Sequence, residues 1–390
     1  MESIMNRRTV ENTKKVAGGG TQRDQTVDII KGIGIILMVL RHARAPYSDF
    51  VLLFHMAVFF IASGFLYNEK YSKSFDGIKV FVIKKIRGLW LPYFFFTVLF
   101  LLLNNTFINT NIYTDNPAFL EYEGLEYAAL GKYYNVMDLL KCIIRAVWFG
   151  QGVQIGGAFW FFRVSFYVQI TFCVIDFMIT KIIKKENWHD IFQGIVSLIF
   201  LGGGYYCHLE NISCKGFNTV FTVYSLLWIG NMIKKYCVMR LFDNIWHSYI
   251  LIFASFCILI LIKPFGYISL DGNNMENPLY FLVASLAGWF LLWGIAKMLQ
   301  KMDFIGNNAI CYISVHAIPI IAMHFLAFKI VNAIYVLIKE MPYYMIAAFP
   351  VLARKGVWWI TYTFAGIICP LILQWALGKL YGLPIRRTRK

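Results

Sequence analysis

Charge is what this 390-residue sequence has least of. Asp, Glu, Lys and Arg supply 15% of it, where a soluble domain carries about 25%. The shortfall is one-sided: 37 basic residues stand against 21 acidic ones, for a net charge of +16. Prolines number ten, too few to break up the long apolar runs. Eight cysteines are scattered without a CxxC pair or a Cys/His metal spacing, so no metal is expected. There is no Gly-x-Ser-x-Gly and no Ser-His-Asp order. Neither an internal repeat nor a matched pair of Gly/Pro-broken short helices appears, which argues against an inverted-repeat transporter. Residues 1–26 are polar, with Gly18-Gly19-Gly20, and do not read as a signal peptide. They read as a disordered cytoplasmic tail.

What is present is apolar length. Hydrophobic residues make up 59% and aromatics 18%, and one run after another reaches the roughly 17–25 residues that cross a bilayer as a helix. The expected fold is all-α, a polytopic integral membrane bundle of about ten transmembrane helices. They fall at about 27–45, 50–67, 89–107, 157–180, 191–207, 217–234, 247–263, 279–298, 307–330 and 357–380. Alternate connections are basic: Arg7 to Arg23, Lys70 to Arg87, Lys181 to Lys185, Lys234 to Arg240, Lys297 with Lys301, and Lys379 to Lys390. The opposite side holds Asp115 to Glu126, Glu210-Asn211 and Asp271 to Glu276, with Lys215, Lys339, Arg354 and Lys355 as exceptions. By the positive-inside rule both termini are cytoplasmic. The organisation is then a tail 1–26, a membrane domain 27–380 and a basic cytoplasmic tail 381–390. Clustered between apolar runs, the positive charge points to an anionic lipid bilayer and not to nucleic acid. Cys207 and Cys214 share one expected external loop, where the compartment permits a disulfide. The largest external segment, about 108–156, contains a candidate interfacial helix from Leu139 to Gly150. Pro319 and Pro370 are expected to kink the ninth and tenth helices.

The first helix carries the ionisable groups Asp28, Lys31, Arg41 and His42. Such groups inside a span are costly and are functional candidates by default. Lys31 and His42 are about three turns apart on nearly one face, separated by about 16 Å of rise. Asp28 falls near the same stripe, and Gly32 and Gly34 permit close approach of a helix or ligand. A plainer reading makes Asp28 and Lys31 an interfacial i,i+3 pair. His55 opens the second helix at a depth matching His42. One histidine suits a general base near neutral pH, and the other an orienting or substrate-binding group; for each, hydrogen-bonded packing is the alternative.

These stretches resemble the acyltransferase-3 family of membrane acyltransferases. The resemblance rests on Asp28, Lys31-Gly32 and His42; on Phe54-His55-Met56, Phe59-Phe60 and Ser63-Gly64-Phe65; and on Lys84-Lys85-Ile86-Arg87 followed by Pro92-Tyr93. Trp160-Phe161-Phe162 and Gly306-Asn307-Asn308-Ala309-Ile310 leading to His316 extend it, with Ala309 where the family usually has Ser. It runs from about residue 24 to 320 and is most specific over 28–93. It implies an O-acyltransferase, most simply an O-acetyltransferase of a plasma membrane. Such an enzyme takes acetyl from cytoplasmic acetyl-CoA, with no permanently bound cofactor, to a hydroxyl of a cell-surface glycan. Lys31, Lys84, Lys85 and Arg87 are placed to meet CoA phosphates, although positive-inside charge explains the loop residues equally well. His42 is the expected base or acyl carrier, with His55 beside it. Asp28, Trp160, Arg163 and His316 are candidates for acceptor or oxyanion contacts. Arg163 pairing with Asp176, and His316 as packing, stay open. His189, His208, His247 and His324 read as non-chemical. A transporter or flippase using the first-helix stripe as its path is the runner-up. The acceptor's identity and the oligomeric state are not legible.

Overall fold

A computed structural model describes residues 25–214, 216–242 and 244–380. The expected tails, apart from Gln25 and Thr26, and the exception Lys215 lie outside the described residues. The described chain is helical, and its only β pairings are two isolated bridges, Tyr127 with Phe349 and Ser269 with Asn274. Among the described residues, eight helical stretches are long and apolar enough to cross a membrane. Two further long helices, α1 (Gln25–His42) and Phe217–Lys235, pack among them. Every one of the ten expected helices has a counterpart, while a count of ten crossings and the side of each terminus are not established by this geometry.

After α1 come α2 (Ser48–Leu52) and α3 (His55–Phe65). The next helix departs from expectation. It starts at Phe75, well before the apolar run at 89, and passes through α4 (Phe75–Lys85), a π turn at Ile86–Trp90 and α5 (Leu91–Leu102). Ser74 caps its start, its hydroxyl accepting from Gly77 N at 3.1 Å, with Asp76 in the first turn. Lys84, Lys85 and Arg87 are therefore helical, not loop residues. Pro92 has no N–H to continue the α ladder, and the π turn sits immediately before its turn.

The long segment at 108–156 is not featureless. The short α6 (Asn104–Asn109) leads into it, and it holds the amphipathic α7 (Val136–Val147), after which Trp148 is 76% exposed. Asn104 and Asn105 side chains donate to Lys132 O and Tyr134 O, tying the segment down. The remaining long helices are α8 (Trp160–Ile182), α9 (Glu186–Leu209), α10 (Phe217–Lys235), α11 (Ile245–Ile262) and α12 (Pro278–Lys301). The ninth span is broken into α13 (Asn307–Val315) and α14 (Ala317–Ile338), with the break at His316, three residues before Pro319. Pro370 lies within α15 (Trp358–Leu380). All eight cysteines are free thiols, Cys207 and Cys214 among them.

Helix α1 joins two cores. Val27, Ile29 and Ile30 belong to one cluster, with residues of α3, α8, α10 and α12. Ile35, Met38 and Val39 belong to the other, with α5, α14 and α15. Lipid gives no hydrophobic drive between helices, so close packing holds such a bundle together. Gly32 shows how close: a Cβ there would lie 2.2 Å from Ile310 O. The Lys31-Gly32 block and the Gly306–Ile310 block are thus one helix contact.

Candidate active site

Two cavities lie along α1, one at its C-terminal end and one about its middle. The first, of about 430 Å³, is lined by Arg41, His42, His55, Trp160 and a roof of irregular segments. Glu126, Tyr127 and Gln154 come from the long external segment, Tyr267, Ser269 and Asp271 from the loop before α12, and Phe349 and Pro350 from the loop before α15. The second, of about 800 Å³, is lined by Lys31, Lys84, Lys85 and Arg87, with Ser63, Asn68, Gln169 and Ser314 among its polar groups. Both volumes lie in the roughly 300–1,000 Å³ range of small-molecule sites.

In the first cavity the sequence-chosen histidines do meet. His55 is buried, and its Nδ1 lies 3.0 Å from Val51 O. A carbonyl only accepts, so Nδ1 carries the proton and Nε2 is left as an acceptor. The ring beside His42, however, is that of His324, at 5.2 Å between centroids, with Phe325 edge-on at 4.7 Å. His324 is fully buried, and its Nδ1 faces Ile320 O at 2.9 Å and Ile321 O at 3.1 Å. Its Nε2 has no protein partner. By sequence alone His324 reads as packing. The one signal is an imidazole within a long, mostly apolar helix.

Arg41, an ionisable group of the first helix to which the sequence assigns no role, belongs here too. Its side chain lines the histidine cavity, with Asp49 3.8 Å away and a buried Nε that has no partner. Beyond it Arg44 and Arg354 both pair with Glu126. Burial, and then the charges of Arg41 and Arg354, lower the Arg44 pKa from its ordinary value. The mouth of this cavity is thus edged by three guanidinium groups and the carboxylates that partly balance them.

The four basic candidates also come together. Lys85 Nζ donates to Gln169 Oε1 and sits 4.7 Å over the Phe81 ring. Lys84 lies 5.5 Å over Tyr71, and both Lys84 and Arg87 are exposed. Asp28, Arg163 and His316 line neither cavity. Asp28 is buried in the first core. Arg163 packs against the Gly216 backbone, where a Cβ would lie 2.5 Å from Nη2. It does not pair with Asp176, which instead accepts from Tyr67 and Ser72 and sits 3.1 Å from His189 Nε2. His316 is buried at the α13–α14 break, its Nδ1 2.9 Å from Tyr312 O.

A family profile described as an acyltransferase domain matches residues 24–379, nearly the whole chain. The chain belongs to the acyltransferase-3 family. The match spans all the helices that build the two cavities. No curated protein and no solved structure matches the chain. With its eight apolar helices, the family makes this a multi-pass membrane acyltransferase.

Proposed function

We propose that the chain is an O-acetyltransferase of the plasma membrane, taking acetyl from cytoplasmic acetyl-CoA to a hydroxyl of an extracytoplasmic glycan. The observation that carries this reading is the pair of cavities on one helix: a basic one at Lys31 and a histidine-lined one at His42. With ten crossings and both termini cytoplasmic, the basic cavity faces the cytoplasm. CoA phosphates then lie against Lys31, Lys84, Lys85 and Arg87, where charge-assisted bonds favour them. The acceptor enters from outside, against Tyr127, Trp160 and Tyr267, and Arg41 faces the oxygen that gains charge in the thioester's tetrahedral intermediate.

His42 accepts the proton of the acceptor hydroxyl as its oxygen bonds to the thioester carbon. The C–S bond breaks, and the departing thiolate takes the proton from His42. The products are an O-acyl sugar and CoA thiol. In a two-step variant the His42 nitrogen itself attacks, CoA thiol leaves, and the acyl imidazole passes its group to the acceptor. Rapid quenching with labelled acetyl-CoA and no acceptor separates the two routes: label retained on the wild type and absent from His42→Ala marks the second.

The test of the function is O-acetyl content of surface polysaccharide in cells making the wild type or His42→Ala at equal membrane levels. A fall of about 100-fold or more is expected from loss of a general base; equal acetylation overturns the assignment. If wild-type membranes given labelled acetyl-CoA form no acylated product, the transporter reading takes its place.

A further inference from the structure

The two cavities meet on the same four side chains. Ile35, Phe59, Phe161 and Ile321 line both. They come from four different helices, α1, α3, α8 and α14, and all four are apolar. The rings of Phe59 and Phe161 touch edge to face, with centroids 5.6 Å apart at 64°. Phe59 is 7% exposed, and its ring rests on Gly34, where a Cβ would lie 2.8 Å from Cζ. Every polar lining group belongs to one cavity alone: Lys31, Ser63 and Gln169 on one side, His42, His55 and Asp271 on the other.

We propose that these four side chains form an apolar partition that only the acyl end of the donor crosses, so that they set the size of acyl group transferred and keep water from the thioester. The proposal rests on the acyl-CoA reading above. Its physical basis is a difference in desolvation. An acetyl group enters an apolar passage at little cost, whereas burying an amide there without a hydrogen-bond partner is strongly unfavourable, which stops the pantetheine arm. From the other side the partition holds the acceptor hydroxyl at the histidines. Water reaching the same carbon would replace the acceptor: a C–O bond forms, the C–S bond breaks, and free carboxylic acid and CoA thiol result. Phe59 and Phe161 are thus specificity-determining for both chain length and coupling.

The experiment uses the full chain in membranes, with Phe59→Ala, Phe161→Ala and the milder Phe59→Leu. It measures transfer from acetyl-, butyryl- and hexanoyl-CoA, and thiol release without acceptor. The wild type is expected to favour acetyl and to release little thiol alone. Phe59→Ala and Phe161→Ala should shift the hexanoyl-to-acetyl ratio of kcat/KM upward at least about tenfold, within the range that pocket methylenes set, and raise acceptor-independent thiol release. Phe59→Leu, the variant least at risk of misfolding, should move both in the same direction by less. Variants present at wild-type levels with the wild-type chain-length ratio and no added thiol release overturn the partition while leaving the acyltransferase intact. A wild type that transfers nothing from any acyl-CoA removes the function and the partition together.

Discussion

At the scale of single residues the centre of the account is His42 and the imidazole beside it. His324 has its Nδ1 committed to two backbone carbonyls, which leaves Nε2 as an acceptor without a protein partner, in a ring that lies 5.2 Å from that of His42. His324→Phe keeps an aromatic ring and removes that acceptor. It should lower kcat by less than the loss seen in His42→Ala, leave the KM for acyl-CoA unchanged, and displace the acid limb of the kcat pH profile. An unchanged profile would make His324 packing after all. That limb has a definite sign: a protonated imidazole cannot accept the acceptor's proton, so the rate falls as pH falls. His42 and His55 were legible in the sequence because an ionisable group inside an apolar helix stands out. His324 was not, because its relevance comes from α14 crossing α1, a contact between residues far apart in the chain. Arg163 shows the converse: a charge in a span that the fold spends against the backbone of Gly216 and not on either cavity.

At the scale of elements, two features decide what the cavities look like. One is the early start of the α4–α5 helix. It puts Lys84, Lys85 and Arg87 on a fixed helical frame along the basic cavity. The sequence conceals this because basic residues between apolar runs read as a loop, whereas in the structure Ser74 caps a helix there. Replacing Lys84 or Arg87 by Ala should raise the KM for acyl-CoA about tenfold or more, since a hydrogen bond to a charged group is worth about 1.5–3 kcal/mol. The acceptor KM should not change, and kinetics with each substrate varied in turn reads both. The other feature is a polar clamp on the roof of the histidine cavity. Lys329 Nζ donates to Ala347 O at 2.7 Å and Ala348 O at 2.8 Å. Asn332 donates to Ile346 O and Ala348 O, and accepts from Leu352 N and Tyr362 OH. These bonds hold the loop that brings Phe349 and Pro350 over His42. Asn332→Leu leaves several buried polar groups without partners, at about 1–3 kcal/mol each. A lower unfolding temperature in detergent and weakened acceptor binding are expected; unchanged values for both would show that the loop is held by other contacts. No sequence pattern announced this clamp, because its carbonyl partners carry no side-chain signature.

At the scale of the molecule, an all-helical bundle was legible from apolar periodicity, and the family from the motifs of the first three spans. The meeting of two cavities was not, because it depends on four helices contributing one side chain each to a shared wall. Helix α1 joins the two packed clusters, and both cavities lie along it. On the proposed function the span itself is the route of the acyl group, with donor and acceptor kept on opposite sides. Sealed vesicles of the two orientations test this most directly. Labelled acetyl-CoA is supplied outside vesicles that carry the acceptor glycan, and acylated glycan is measured. The account predicts label on glycan enclosed within inside-out vesicles, where the cytoplasmic face meets the donor, and none in intact right-side-out vesicles. Equal labelling in both orientations, or labelling only of glycan on the donor's own side, would contradict it.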